Sequence, residues 1–183
     1  KFLAGCKENN IELSVAQKVW SKMESFASYA FNKSHAAAYS VITAKGAYLK
    51  TYYPVEYMCS ILNSYLSNPD KLKIFLNVTE KMGLEILPPS VNHSVGRFTV
   101  KDGKIIFGLQ GLKGMGKAGE WICRERESSR GLYKSVQDLC ERLAKYEKFD
   151  RKMYDILVCS GAFDEFGASR KALLNIREEM LDY

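Results

Sequence analysis

The plan of this chain is set by Phe31-Asn32-Lys33-Ser34-His35-Ala36-Ala37-Ala38-Tyr39, which runs on through Tyr48-Leu49-Lys50 to Pro54. Lys33, Ser34 and His35 stand at the start of an Ala-rich helix expected from about His35 to Tyr52, with Ser34 as its capping hydroxyl and Gly46 as a soft point inside it. The first N–H groups of a helix lack intrahelical partners and favour an anion, so the arrangement outlines a phosphate site. Asn-Lys-Ser-His is equally the composition of an ordinary polar turn with a helix cap, and the residues by themselves leave both readings open.

On the N-terminal side, Ser14 to Gln17 has capping-box form, and apolar residues recur at Ala16, Val19, Trp20, Met23, Phe26 and Ala27, which predicts a helix from about 14 to 30. On the other side, Pro54 ends the Ala-rich helix and suits the first position of another, with Tyr57, Met58, Ile61, Leu62 and Tyr65 as its apolar stripe. Asn68-Pro69 opens a further helix with Leu72, Phe75, Leu76, Thr79 and Met82 inward, closed by Gly83. The first half therefore reads as a helical bundle.

Leu84 to Leu87 reads as a short strand, followed by an extended crossing at Pro88-Pro89. Arg97 to Lys101 and Lys104 to Phe107 flank Asp102-Gly103, a two-residue hairpin signal. Gly114-Met115-Gly116 then lies between apolar segments containing Leu109, Leu112, Ala118, Trp121 and Ile122, the spacing two packed helices need. Glycines there let the backbone turn tightly and bring N–H groups to a phosphate, with the second helix, about Lys117 to Glu127, aiming its N-terminus at the same anion and Lys113 and Lys117 flanking the turn. A bare Gly-x-Gly is also the mark of a plain tight turn. Ser135 to Asp138 starts another capped helix, and the helices about Asp150–Ser160 and from Ser169 flank Gly161-Ala162-Phe163-Asp164, a degenerate second hairpin unit. That copy lacks the second glycine and carries Asp164, which repels phosphate, so packing is its expected role.

A chain of 183 residues, 46% hydrophobic, can bury a real core in one or two domains. Its net charge of +6 and pI near 9.0 suit a polyanionic partner. Five cysteines, an odd number without Cys-x-x-Cys spacing, argue against a disulfide framework or zinc site and fit a reducing cytoplasm. No run is apolar for long enough to span a bilayer, and Lys1 to Cys6 is too short for a secretory signal, so a soluble cytoplasmic protein without a membrane partner is expected. The chain opens without Met just before a helical pattern, as an excised piece of a longer protein would.

Phe31 to Tyr39, with its aromatic and basic helix ending at Pro54, resembles the fingers of the bacterial DNA polymerase III alpha subunit, the replicative C-family polymerase. Met82 to Asn92 resembles that family's crossing after the fingers, and Ile106 to Leu109 with Lys113 to Gly116, and Cys159 to Asp164, resemble its paired hairpin region. The resemblance covers essentially the whole chain in matching order. It implies a mainly α fold in three parts: a fingers helical bundle over 1–87, a crossing segment and β-hairpin over 88–108, and a tandem helix-hairpin-helix region over 109–183. It also implies primer-template DNA and an incoming deoxynucleoside triphosphate as partners, together with the palm, the clamp-binding region and the replicative holoenzyme.

Carried onto these positions, Lys33 would neutralise triphosphate charge, Ser34 or His35 would donate hydrogen bonds to its oxygens, and Tyr39 would wall the pocket. From place alone, His35 is a helix-start residue bonded to nearby backbone and Tyr39 a core aromatic, while Lys45 and Lys50 belong to a solvated face. Lys113, Gly114, Met115, Gly116 and Lys117 would grip the DNA backbone. Nucleotidyl transfer needs paired carboxylates holding two metal ions, and no Asp-x-Asp pair occurs here: Asp70, Asp102, Asp138, Asp150, Asp155, Asp164 and Asp182 are scattered. The palm and its Mg2+ are therefore expected before Lys1, and the clamp-binding segment and OB-fold after Tyr183. The piece alone is expected to be inactive, with no catalytic residue, metal site or cofactor of its own. Two other readings stand beside this one, a free-standing helix-hairpin-helix protein of DNA binding or repair and a helical interaction module whose charge is incidental.

Overall fold

The computed structural model describes residues 1–29, 32–145 and 149–181. Ala30, at the end of one expected helix, Phe31 of the opening motif and Asp182 lie outside the described residues. Ten α-helices and one three-stranded sheet are present among those described, a mainly α architecture. The chain forms two compact units, Lys1–Tyr48 and Leu49–Tyr183.

The first unit pairs α1 (Phe2–Glu8) with α2 (Leu13–Tyr29) around Cys6 and Ala16, with the Phe2 and Trp20 rings 5.5 Å apart. The N–H of Ala16 donates to the Glu12 carbonyl, so α2 starts one residue earlier than the Ser14 box implies. Ser14 lies inside the first turn and its hydroxyl donates to the Glu12 carboxylate instead. Helix α3 (Lys33–Tyr52) runs without interruption through Gly46 and buries none of its residues. Ser40 and Thr43 donate their hydroxyls to the carbonyls of Ala36 and Tyr39 one turn back, which spares them from competing with the helix for backbone partners.

In the second unit, Pro54 occupies the first turn of α4 (Pro54–Ser64), and Pro69 that of α5 (Pro69–Lys81), where the Asn68 side chain accepts the Lys71 N–H at 3.1 Å. Both helices turn their stripes toward a small sheet of β1 (Ile86–Leu87), β2 (Thr99–Lys101) and β3 (Lys104–Ile106) in the order β1-β3-β2. Strand β1 is parallel to β3 and β2 antiparallel to it. Asp102 and Gly103, at φ 53° and 71°, make the turn between β2 and β3 that their sequence predicts. Met58, Leu62, Leu72, Phe98 and Ile105 form the shared core. Just before β2, Asn63 clasps a single backbone unit in place of a neighbouring strand: its Nδ2 donates to the Phe98 carbonyl at 2.8 Å, and its Oδ1 accepts the Phe98 N–H at 2.9 Å.

The larger core gathers Leu109, Ile122, Leu139, Tyr154, Leu157 and Phe163 from α6 (Ala118–Glu125), α7 (Val136–Leu143), α8 (Arg151–Ser160) and the segments joining them, with Leu173 of α9 (Arg170–Asn175). A last helix, α10 (Arg177–Leu181), packs on α7 and α8. Ser135 caps α7 as its box predicts, and Asp150 and Ser169, where helices were expected to start, prove to be the caps of α8 and α9, each of the three accepting the N–H three residues on. The five cysteines are free thiols, four of them buried, and burial pushes Cys140 up to about 12.

Gly119 lets α6 pack closely on the chain before it. A methyl there would lie 2.9 Å from Leu109 Cβ and 3.0 Å from the Gln110 backbone nitrogen. Gly46, by contrast, has nothing within 4 Å of the same position. Alanine is the better helix former at both, by about 1 kcal/mol, so Gly46→Ala should raise the helical circular-dichroism signal and its melting temperature. Gly119→Ala should do the reverse, costing about 1–3 kcal/mol through overpacking. Equal effects at the two positions would contradict the packing described.

Candidate nucleic-acid interface

Asn32, not Ser34, caps α3. Its side-chain oxygen accepts the N–H of Ser34 at 2.9 Å and of His35 at 3.3 Å, so the helix begins at Lys33. The two N–H groups that the sequence offered to an anion are thus held by Asn32. Lys33, Ser34 and His35 are all exposed on this first turn. The His35 and Tyr39 rings, one helical turn apart, lie with centroids 4.1 Å apart. Tyr39 is 55% exposed, so it is not the core aromatic its place suggested. Lys45 and Lys50 are exposed, as expected of a solvated face.

The Gly114–Gly116 turn is built differently from two equal helices around a loop. Leu109–Gly111 makes only a single 3-10 turn, and α6 is shorter than the expected Lys117–Glu127, since the chain widens into a π turn over Arg126–Arg130. Gly114 and Gly116 take φ of 93° and 50°, which side chains rarely adopt. Met115 between them is buried under the turn, and its N–H donates to the Leu112 carbonyl at 3.0 Å. It anchors the loop from below. Ala118 likewise donates to Met115. The N–H groups of Gly114, Gly116 and Lys117 make no backbone hydrogen bond among the described residues. Lys117 is in the right-handed region directly after left-handed Gly116, a pairing that turns successive N–H groups toward one point and suits an anion. Lys113 and Lys117 are exposed on either side.

At the second turn, Ala162 and Phe163 are buried, and the Val91 N–H donates to the Ala162 carbonyl at 3.1 Å. Asp164 pairs with Arg170 at 2.5 Å, and that hydrogen bond holds its carboxyl below the usual carboxylate range. The pair also covers Gly161, whose Cβ position lies 2.3 Å from Arg170 Nη2.

At the C-terminal end of α6 lies a charged cluster that sequence reading missed. Arg142 is buried with its guanidinium 4.2 Å from the Tyr133 ring centre, donating to the carbonyls of Glu125 and Gly131. Its Nε is 3.7 Å from the buried Glu125 carboxylate and its Nη1 is 3.5 Å from Asp138. Neither of those nitrogens makes a hydrogen bond, so charge and the ring face hold that side of the group. Lys145 reaches Glu125 at 2.6 Å. Arg126 donates to the carbonyls of Val91 and Ser94, and Asn92 clasps the Tyr133 backbone, so the crossing segment is fastened to the same cluster. Asp138 of the expected capping box was the one legible sign of it.

This arrangement, a glycine turn leading into a short helix within a helical core, defines a helix-hairpin-helix module, and the family described as "Helix-hairpin-helix motif" matches residues 83–173. Among curated proteins, the chain is 36% identical over 181 residues to DNA polymerase III subunit alpha of Deinococcus radiodurans, covering 99% of this chain and 14% of that protein. It is 38% identical to that of Campylobacter jejuni, over 98% of this chain and 15% of that protein, and 35% identical to that of Escherichia coli K12, over 95% and 15%. The chain belongs to the DNA polymerase III alpha family and spans about one seventh of the length of these relatives.

Truncating Arg142 leaves Glu125 as a buried carboxylate with less compensation. Arg142→Ala should therefore cost about 3–5 kcal/mol in urea unfolding, while the joint replacement Glu125→Leu with Arg142→Met should cost less than the single change. A cost for Arg142→Ala within about 0.5 kcal/mol of zero, the usual range for surface changes, would show that the cluster does not hold the module together.

Proposed function

We propose that this chain is the fingers and helix-hairpin-helix segment of a replicative DNA polymerase, working as part of a longer catalytic subunit that extends a primer on a DNA template. Residues 1–87 serve as fingers, 88–108 as the crossing and 109–183 as the duplex-gripping region. The observation that carries the reading is the Gly114–Gly116 turn, with open N–H groups at Gly114, Gly116 and Lys117 between two exposed lysines, inside the segment matched as a helix-hairpin-helix motif. Backbone N–H groups and lysines recognise phosphate without reading bases, so the duplex is held irrespective of sequence.

At the start of α3, exposed Lys33 supplies charge for a triphosphate, Ser34 and His35 supply side-chain donors, and Tyr39, its ring beside that of His35, supplies an aromatic wall. An anion there meets side chains more than backbone, because Asn32 already occupies two N–H groups. Metal-assisted phosphoryl chemistry belongs to other parts of the polymerase. No group of three or more His, Cys, Asp and Glu among the described residues is placed to hold a metal ion. No helix among the described residues is long and apolar enough to cross a membrane, and a cytoplasmic site of action agrees with the five free thiols.

Anisotropy of a labelled primer-template duplex, titrated with the chain across a salt series, tests the hairpin. Lys113→Ala and Lys117→Ala should each flatten the plot of log affinity against log salt by about one unit, and slopes unchanged by both substitutions would refute the contact. For α3, Lys33→Ala in the full-length polymerase should raise KM for the incoming nucleotide with DNA affinity unchanged. A loss confined to DNA affinity would move Lys33 out of the nucleotide site.

A further inference from the structure

Helix α8 lies against the hairpin. A methyl placed on Gly114 would be 3.1 Å from Ile156 Cδ1, 3.6 Å from Lys152 Cε and 4.0 Å from Lys152 Nζ. Ile156 and the Lys152 stem thus close on the bare Gly114, which puts a third ammonium beside the turn that carries the open N–H groups of Gly114, Gly116 and Lys117.

Charge pairing separates this lysine from its neighbours. Arg151, next to it in α8, pairs with Glu178 at 3.0 Å. Asp155 pairs with Arg177, Asp164 with Arg170, and Glu120 with Arg124 and Gln110. Asp150 accepts the Met153 N–H as the cap of α8. Asp155, Asp164 and Glu120 are thereby paired with arginines, whereas Lys113, Lys117 and Lys152 form no ion pair among the described residues. Lys152 is exposed, and it lines an open groove of about 570 Å³ along the outer face of α8 with Ile156 and Cys159.

We propose that Lys152 is a DNA-binding residue, which takes a backbone phosphate next to the one cradled by the Gly114–Gly116 turn, so that the hairpin and α8 form one surface for two phosphodiesters. The proposal rests on the hairpin reading above and extends it to a helix outside the turn. It also gives Gly114 a second role, since a methyl there would already press on Ile156 and a larger side chain would crowd the Lys152 stem as well.

The test is the same salt series on a labelled primer-template duplex, with Lys152→Ala and Lys152→Arg beside Lys113→Ala and Lys117→Ala, each checked by circular dichroism for retained fold. Lys152→Ala should flatten the slope by about one unit, as a lost phosphate contact does, and Lys152→Arg should restore it. A parental slope for Lys152→Ala, alongside flattened slopes for Lys113→Ala and Lys117→Ala, overturns the role of Lys152 and leaves the hairpin reading standing. Slopes unaffected by all three overturn both.

Discussion

The second unit is organised around a guanidinium that solvent barely reaches. Arg142 binds the C-terminal end of α6 through the Glu125 carbonyl, the following loop through Gly131, and the face of Tyr133. Burying a cation costs several kcal/mol unless opposite charge and good acceptors surround it. Here two carboxylates, two carbonyls and one aromatic ring meet it from different segments, so all those segments must be in place together. Such a requirement converts a loose collection of short helices into a module with one arrangement. Tyr133 itself is fixed at both ends, its hydroxyl donating to the Ile122 carbonyl and its backbone clasped by Asn92.

The hairpin inherits its rigidity from this cluster. Helix α6 is pressed onto Leu109 and Gln110 through Gly119, and its far end is held by Glu125 and Arg142. Met115 plugs the turn from beneath. A turn fixed in this way holds its N–H groups in one arrangement, so on the proposed reading little ordering is left to be done on binding. The second turn has the opposite character. Its residues face the core, and Arg170 quenches the Asp164 charge.

The first unit presents a contrast. Val19, Trp20, Met23 and Phe26 of α2 are exposed, and α3 buries no residue, so these helices are held by local propensity, caps and the α1–α2 contact more than by a deep core. Alanine-rich sequence supplies that local stability to α3.

Much of this was legible in the sequence because it rests on local rules. Pro54, Asn68-Pro69, Asp102-Gly103 and Ser135 each act within a few residues of where they stand, and each acts as expected. The glycines of the hairpin and its flanking lysines were readable for the same reason. Local competition already limited that reading at Ser14 and Ser34, where Glu12 and Asn32 reached the cap first. What tertiary structure alone decided are contacts between residues far apart in the chain. Asn63 with Phe98, Asn92 with Tyr133, Arg142 with Glu125 and Lys152 beside Gly114 leave no periodic trace, because each depends on where packing brings a distant segment. Sequence alone determined the helices, the turns and the family, whereas folding decided which charges are buried as struts and which stay exposed.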